Sequence, residues 1–157
     1  MSWTHNTPTS PFTASTRASR TGMTYTVAKA SEFAASWIEA WNSHDLDRIL
    51  ALYSEDAVYS SSLVRSIGGG HSDSIRGHLA LRTYFSAVLR KFPSLRVRLR
   101  AVYAGHEALI LLCDSANGLV ESEKMTLNGR SQIARAWVYY GRLRQSNPEK
   151  QATNQEP

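Results

Sequence analysis

Between Val27 and Phe92 the apolar positions of the chain recur at a helical period. Phe33, Trp37, Ile38 and Trp41 follow one another at steps of four, one and three, which predicts an amphipathic helix over about residues 27–42. Ser43 then offers an N-cap, with Asp45 and Asp47 in the first turn, where acids favour a helix. Leu46, Ile49, Leu50 and Tyr53 complete the i, i+3, i+4, i+7 template of a second helix. A short strand, Ala57 to Ser60, comes next, followed by a loop rich in Ser and Gly from Ser61 to Gly77. A third helix is predicted from His78 to Phe92, with Leu81, Tyr84, Phe85, Val88 and Phe92 on one stripe. Pro93 ends it, because proline disfavours helical geometry in the residue before it.

Beyond Pro93 the period falls to two. Leu95, Val97 and Leu99 alternate with Arg96, Arg98 and Arg100, which predicts a strand with an arginine-bearing outer face. Gly105 marks a turn, and Ala108 to Cys113 is apolar on both faces. Asn117-Gly118 and Asn128-Gly129 are hairpin signals, since both central residues of a type I′ turn need positive φ. Residues 95–140 therefore read as a four-stranded antiparallel meander behind three helices, an α+β architecture. In the third strand Leu119, Glu121, Glu123, Met125 and Leu127 share the more apolar face. That face turns inward and takes both glutamates with it. Parity across the Asn-Gly turn puts Ala134 and Ala136 on the same side.

The 157 residues suit one domain, with 42% hydrophobic residues, four Trp, seven Tyr and four Phe. Residues 1–24 are expected to form a disordered tail, because their Ser/Thr-rich sequence has too little apolar surface to offset ordering entropy. They lack the apolar core of a secretory signal, while their Ser/Arg content resembles an organelle transit peptide, and Met23 offers a second start. The folded domain is expected over 25–142, with a flexible tail at 143–157. The formal charge of +5 has no long basic block, and Arg17 and Arg20 belong to the tail. It is read as a solubility property rather than as nucleic-acid binding. No run approaches the ~20 apolar residues of a membrane span. Cys113 is the single cysteine, so no disulfide closes within the chain, and the setting expected is the reducing cytoplasm. Its histidines and carboxylates show no metal-ligand spacing.

A family resemblance runs through these elements. Trp41-Asn42-Ser43-His44-Asp45-Leu46-Asp47, with Ala51 to Tyr59 after it, resembles the helix-to-strand signature of SnoaL-like proteins in the nuclear transport factor 2-like superfamily. Ile75-Arg76-Gly77 resembles that family's loop-to-helix junction, and Glu123 to Arg130 with Tyr139-Tyr140-Gly141 its last hairpin. The resemblance covers about residues 29–142. It implies a cone-shaped, curved antiparallel sheet wrapped around N-terminal helices (also called cystatin-like), a conical cavity, and homodimers through the sheet. Members include ketosteroid isomerases, polyketide cyclases, epoxide hydrolases, dehydratases and non-catalytic modules, so fold alone assigns no activity.

Residue by residue, the resemblance places Glu123 where ketosteroid isomerases have the acid of the oxyanion hole. It places Ser61 at their catalytic Asp and Trp37 at their oxyanion-hole Tyr. Serine does not shuttle protons at neutral pH without a base, and an indole donates from a different place, so the steroid reaction is not expected. Glu123 remains as the catalytic candidate, since a carboxyl in an apolar site has a raised pKa. Trp37, Trp41, Tyr53, Phe85 and Tyr140 are expected to wall the pocket, with Ser61 also in it, Ala136 leaving room beside the carboxylates and Glu121 in the pocket or at its rim. Such walls suit an apolar or aromatic small molecule. His71 and His78 border the loop that would close over it. Two readings stay open: an isomerase, cyclase or dehydratase that works without a cofactor, and a non-catalytic ligand-binding or dimerisation module.

Overall fold

A computed structural model describes residues 24–115 and 118–143. The expectations for the two tails fall mostly outside these residues, as does Asn117 of the first hairpin signal. The elements run α1 (Val27–Ser43), α2 (Leu46–Ala51), β1 (Tyr53–Ser61), α3 (Ser62–Gly68), β2 (Ser74–Arg76) and α4 (His78–Lys91). Strands β3 (Arg98–Ala104), β4 (Leu109–Asp114), β5 (Val120–Leu127) and β6 (Ile133–Gly141) complete the fold. They form one curved, unclosed six-stranded sheet in the order β2-β1-β6-β5-β4-β3, with helices on its inner side. The last four strands are the antiparallel meander that the alternation predicts. Against them β1 lies parallel to β6, pairing Tyr53 with Ile133 and Ser61 with Val138.

Helix α1 starts at Thr26, whose side chain accepts from Lys29 N at 3.2 Å, and ends where His44 turns left-handed at φ 57°. The face it buries is Ala30, Ala34, Trp37, Ala40 and Trp41, while Phe33 and Ile38 pack only partly. The alanines allow the helix to approach the sheet closely enough for both indoles to reach its interior. The cap of α2 is Asp45, whose Oδ1 accepts from Asp47 N and Arg48 N at 3.0 and 3.2 Å. Ser43, expected there, instead donates to Ala40 O at 2.7 Å. Tyr53 is not on this helix. The helix stops at Ala51, and Ile133 N donates to Leu52 O at 2.7 Å, drawing the chain into β1.

Two elements form inside the stretch whose Ser and Gly content predicts a loop. Ser61 caps α3 by accepting from Leu63 N at 3.2 Å, and Gly69 closes it in a left-handed conformation at φ 71°. Ser74–Arg76 then pairs with β1 as β2. Gly77 leads into α4 at φ 83° with its N–H on Ala57 O at 2.9 Å, and a Cβ there would meet Glu55 O at 3.4 Å.

The meander also departs from simple alternation. Leu95 to Val97 is a lead-in pinned by Asn42, which bonds Val97 through both N–H (2.7 Å) and C=O (3.1 Å). A bulge at Arg100 breaks the arginine ladder, and that guanidinium pairs with Asp114. The β5–β6 connection is a five-residue loop rather than a two-residue turn: Asn128 N donates to Gln132 O at 2.8 Å, and Ser131, not Gly129, takes positive φ. A second bulge leaves Ala134 unpaired, so Ile133 rather than Ala134 is buried at the start of β6.

An aromatic cluster fills the core. Phe85 touches Trp41, Tyr53, Tyr59 and Tyr84 at ring separations of 5.0, 5.3, 5.2 and 5.8 Å, joining α4 to α1 and β1. Each such contact contributes roughly 0.5–1.5 kcal/mol beyond area burial.

Candidate functional site

In an antiparallel pair, residues directly opposite one another lie on the same face. Glu123 stands between Leu111 on β4 and Val138 on β6, and Glu121 between Cys113 and Tyr140. Both carboxyls therefore rise from the inner face of β5, two residues apart, toward α1. They line a cavity of about 70 Å3 together with Trp37, Trp41, Tyr59, Tyr84 and Tyr140. Leu63 and Ile67 of α3, Phe92, Leu95 and Val97 form its outer walls. Among the described residues no Lys, Arg or His lines it; its charged residues there, Asp114, Glu121 and Glu123, are all acids.

The two glutamates differ in depth. Glu123 is only 2% exposed, whereas Glu121 is half-buried. Burial, with no cation to offset it, pushes Glu121 up to about 7. Glu123 is raised well above the usual carboxylate range, first by burial and then by the charge of Glu121, while the Tyr53 hydroxyl pulls the other way. The Tyr53 hydroxyl lies beside both Glu123 and the Trp37 indole, close enough to bias the proton. Its geometry completes no hydrogen bond: Tyr53 OH, Glu123 Oε1 and the Nε1 atoms of Trp37 and Trp41 are all buried without a partner. An unsatisfied buried polar group costs about 1–3 kcal/mol, and three of these four, on Trp37, Trp41 and Glu123, belong to residues that line the cavity, with Tyr53 behind them.

Of the residues expected at the pocket, Trp37, Trp41, Glu121, Glu123 and Tyr140 come together around it. Tyr53, Phe85 and Ala136 are fully buried behind its walls and do not line it. Ser61 is buried too, capping α3 and lying beside the Tyr84 and Tyr140 hydroxyls. His78 bonds Tyr53 O at 2.9 Å, and His71 lines a separate surface groove. Sequence reasoning missed Tyr59 and Tyr84 as wall residues, having assigned Tyr84 to packing, and missed α3 altogether. The i, i+4 spacing of Leu63 and Ile67 carried that signal within the serine-rich stretch. Among the described residues no group of three His, Cys, Asp or Glu is placed to hold a metal ion.

The sequence matches the SnoaL-like domain family over residues 34–118, more than half of its length. The chain belongs to the SnoaL-like family. A SnoaL-like protein of unknown function from Burkholderia thailandensis is 30% identical, with a TM-score of 0.71 over 76% of this chain and 99% of that one. A candidate SnoaL-like isomerase from Agrobacterium tumefaciens shares the fold at 17% identity and TM-score 0.58, over 72% and 97% of the two chains. The candidate polyketide cyclase IdmH from Streptomyces antibioticus does so at 16% identity and TM-score 0.59, over 71% and 91%. No curated protein matches the chain. SnoaL-like relatives thus include proteins described as cyclases and isomerases. Among the described residues no helix is long and apolar enough to cross a membrane.

Proposed function

We propose that this SnoaL-like chain is a cofactor-free acid–base enzyme acting on a small uncharged carbonyl compound, or on the carbonyl-bearing end of a larger one. The observation that carries the reading is the Glu123 carboxyl, 2% exposed and unpartnered at Oε1, on the floor of an aromatic cavity. A protonated carboxyl there is a donor in a low-dielectric site, suited to a carbonyl oxygen as negative charge develops on it. An acid-only lining disfavours carboxylate ligands, which would bring further negative charge beside Glu121 and Glu123. Size sets a second limit. A cavity of about 70 Å3 falls below the ~150 Å3 that accommodates benzene. Only a small molecule or a reacting end enters it without movement of α3.

The reading is tested by deuterium exchange at the α-carbons of acetone, 2-butanone and cyclopentanone in D2O, followed by proton NMR. The expected result is exchange above the buffer rate that Glu123→Leu removes while the protein stays folded. A second reading, a non-catalytic ligand-binding or dimerisation module, is favoured by Ser61, whose hydroxyl serves as a helix cap rather than a proton carrier. Absence of exchange together with ketone-induced stabilisation of the fold would select that reading.

A further inference from the structure

We propose that Glu121 is the residue that takes the proton from the substrate, with Glu123 donating a hydrogen bond to the carbonyl oxygen beside it. This rests on the acid–base reading above and adds a catalytic residue to it. The step moves one proton. The C–H bond next to the carbonyl breaks, its proton goes to the Glu121 carboxylate, and the electron pair moves onto the carbonyl oxygen, held by the Glu123 O–H. Return of the proton from Glu121 to the same or another carbon restores the carbonyl, so no oxidant, reductant or cofactor enters the balance.

Position along β5 separates the two roles. Glu121 is the less deeply buried carboxyl, nearer the start of β5, and Glu123 is the closed one. The titratable groups that face Glu121 are Tyr53 and Tyr59 from β1, Tyr84 from α4, Cys113 from β4, Glu123 from its own strand and Tyr140 from β6, while Asp114 at the cavity edge is paired with Arg100. Helices α1 and α3 contribute Trp37, Trp41, Leu63 and Ile67, which carry no charge. Among the described residues no cation lines the cavity beside Glu121, and burial brings it to about 7, where it both accepts and returns a proton near neutrality. Its negative charge in turn disfavours ionisation of Glu123, because two carboxylates sharing one apolar face do not both ionise readily. The buried Oε1 of Glu123, at the cavity with the Tyr53 hydroxyl beside it but no completed hydrogen bond, is the geometric observation for its donor role.

The experiment uses the full chain, the same three ketones as probes and α-deuterium exchange as the readout, across pH 5.5–8.5. Glu121→Gln is expected to lower the exchange rate by about 100-fold or more and to abolish its rise with pH, the loss typical of a missing general base. Glu123→Gln keeps an N–H donor, so it is expected to lose roughly tenfold, at the low end for a weakened oxyanion donor, and to keep that pH dependence. Carbon-13 titration of the glutamate carboxyls in the unsubstituted protein is the second measurement, with Glu121 expected to ionise near neutrality and Glu123 later. Exchange that survives Glu121→Gln but is abolished in Glu123→Gln would overturn this proposal and leave the acid–base reading standing. So would a titration in which Glu123 ionises first. An unsubstituted protein that exchanges no ketone sinks the acid–base reading, and this proposal with it.

Discussion

Glu121 and Glu123 stand two residues apart on one strand, yet their neighbours give them different chemistry. Leu111 and Val138 flank the inner carboxyl, while Cys113 and Tyr140 flank the outer one. A carboxyl raised by burial binds its proton more tightly in the folded than in the unfolded chain. Between the unfolded value near 4.5 and the folded value of about 7, the native state therefore holds the extra proton, and stability falls as pH rises through that window. Glu121→Gln is expected to remove roughly 2 kcal/mol of the difference in urea stability between pH 5 and pH 8; an unchanged difference would contradict the raised value. The inward turn of both glutamates is legible in the sequence, since Leu119 to Leu127 alternate without interruption. Their unequal depth is not, because it depends on strands and indoles distant in the chain.

At the level of elements, the long helices and the meander follow from periodicity, and the discrepancies cluster where a single side chain or a long-range bond overrides it. Tyr53 completes a helical template, yet it opens β1, because the Leu52 carbonyl finds Ile133 N some eighty residues away. A strand that contains Ser54, Glu55 and Asp56 has no apolar alternation to announce it. The bulge at Arg100 interrupts the register of the arginine ladder although Arg96, Arg98 and Arg100 all stay exposed, and the bulge at Ala134 shifts parity by one residue, which is why the inward Ala134 does not hold. Gly77 shows what one backbone conformation contributes. At φ 83° and ψ 158° it joins β2 to α4 in a region that glycine alone adopts readily. Gly77→Ala should cost about 1–3 kcal/mol, read as a shift of the urea midpoint.

For the molecule as a whole, the outer face of the sheet carries large aromatic side chains that are left exposed. Tyr103, Ile110, Lys124 and Trp137 form one row across four strands, with Lys124 Nζ 5.2 Å from the Trp137 ring. Tyr103 and Tyr139 are 56% and 57% exposed. A homodimer through this face, as the family resemblance implies, predicts twice the chain mass by light scattering at micromolar concentration and a monomer for Tyr103→Glu. A monomeric parent protein would rule the dimer out.

The parallel partnership of β1 and β6 has a consequence in time rather than in space. Tyr53 meets Ile133 and Ser61 meets Val138, so the strand that bounds the first half of the sheet is completed by the last strand to be made. During synthesis α1, α2 and β1 leave the ribosome well before the segment that joins β1 to the meander. At about 5–20 residues per second the intervening wait lasts several seconds or more. Through that interval the edge of β1 that will meet β6 has no partner, while its other edge can already pair with β2. Closure of so distant a contact also makes refolding slow for a domain of this size. The pairing that joins the two halves of the sheet is thus the one that synthesis completes late, after β1 has already found β2.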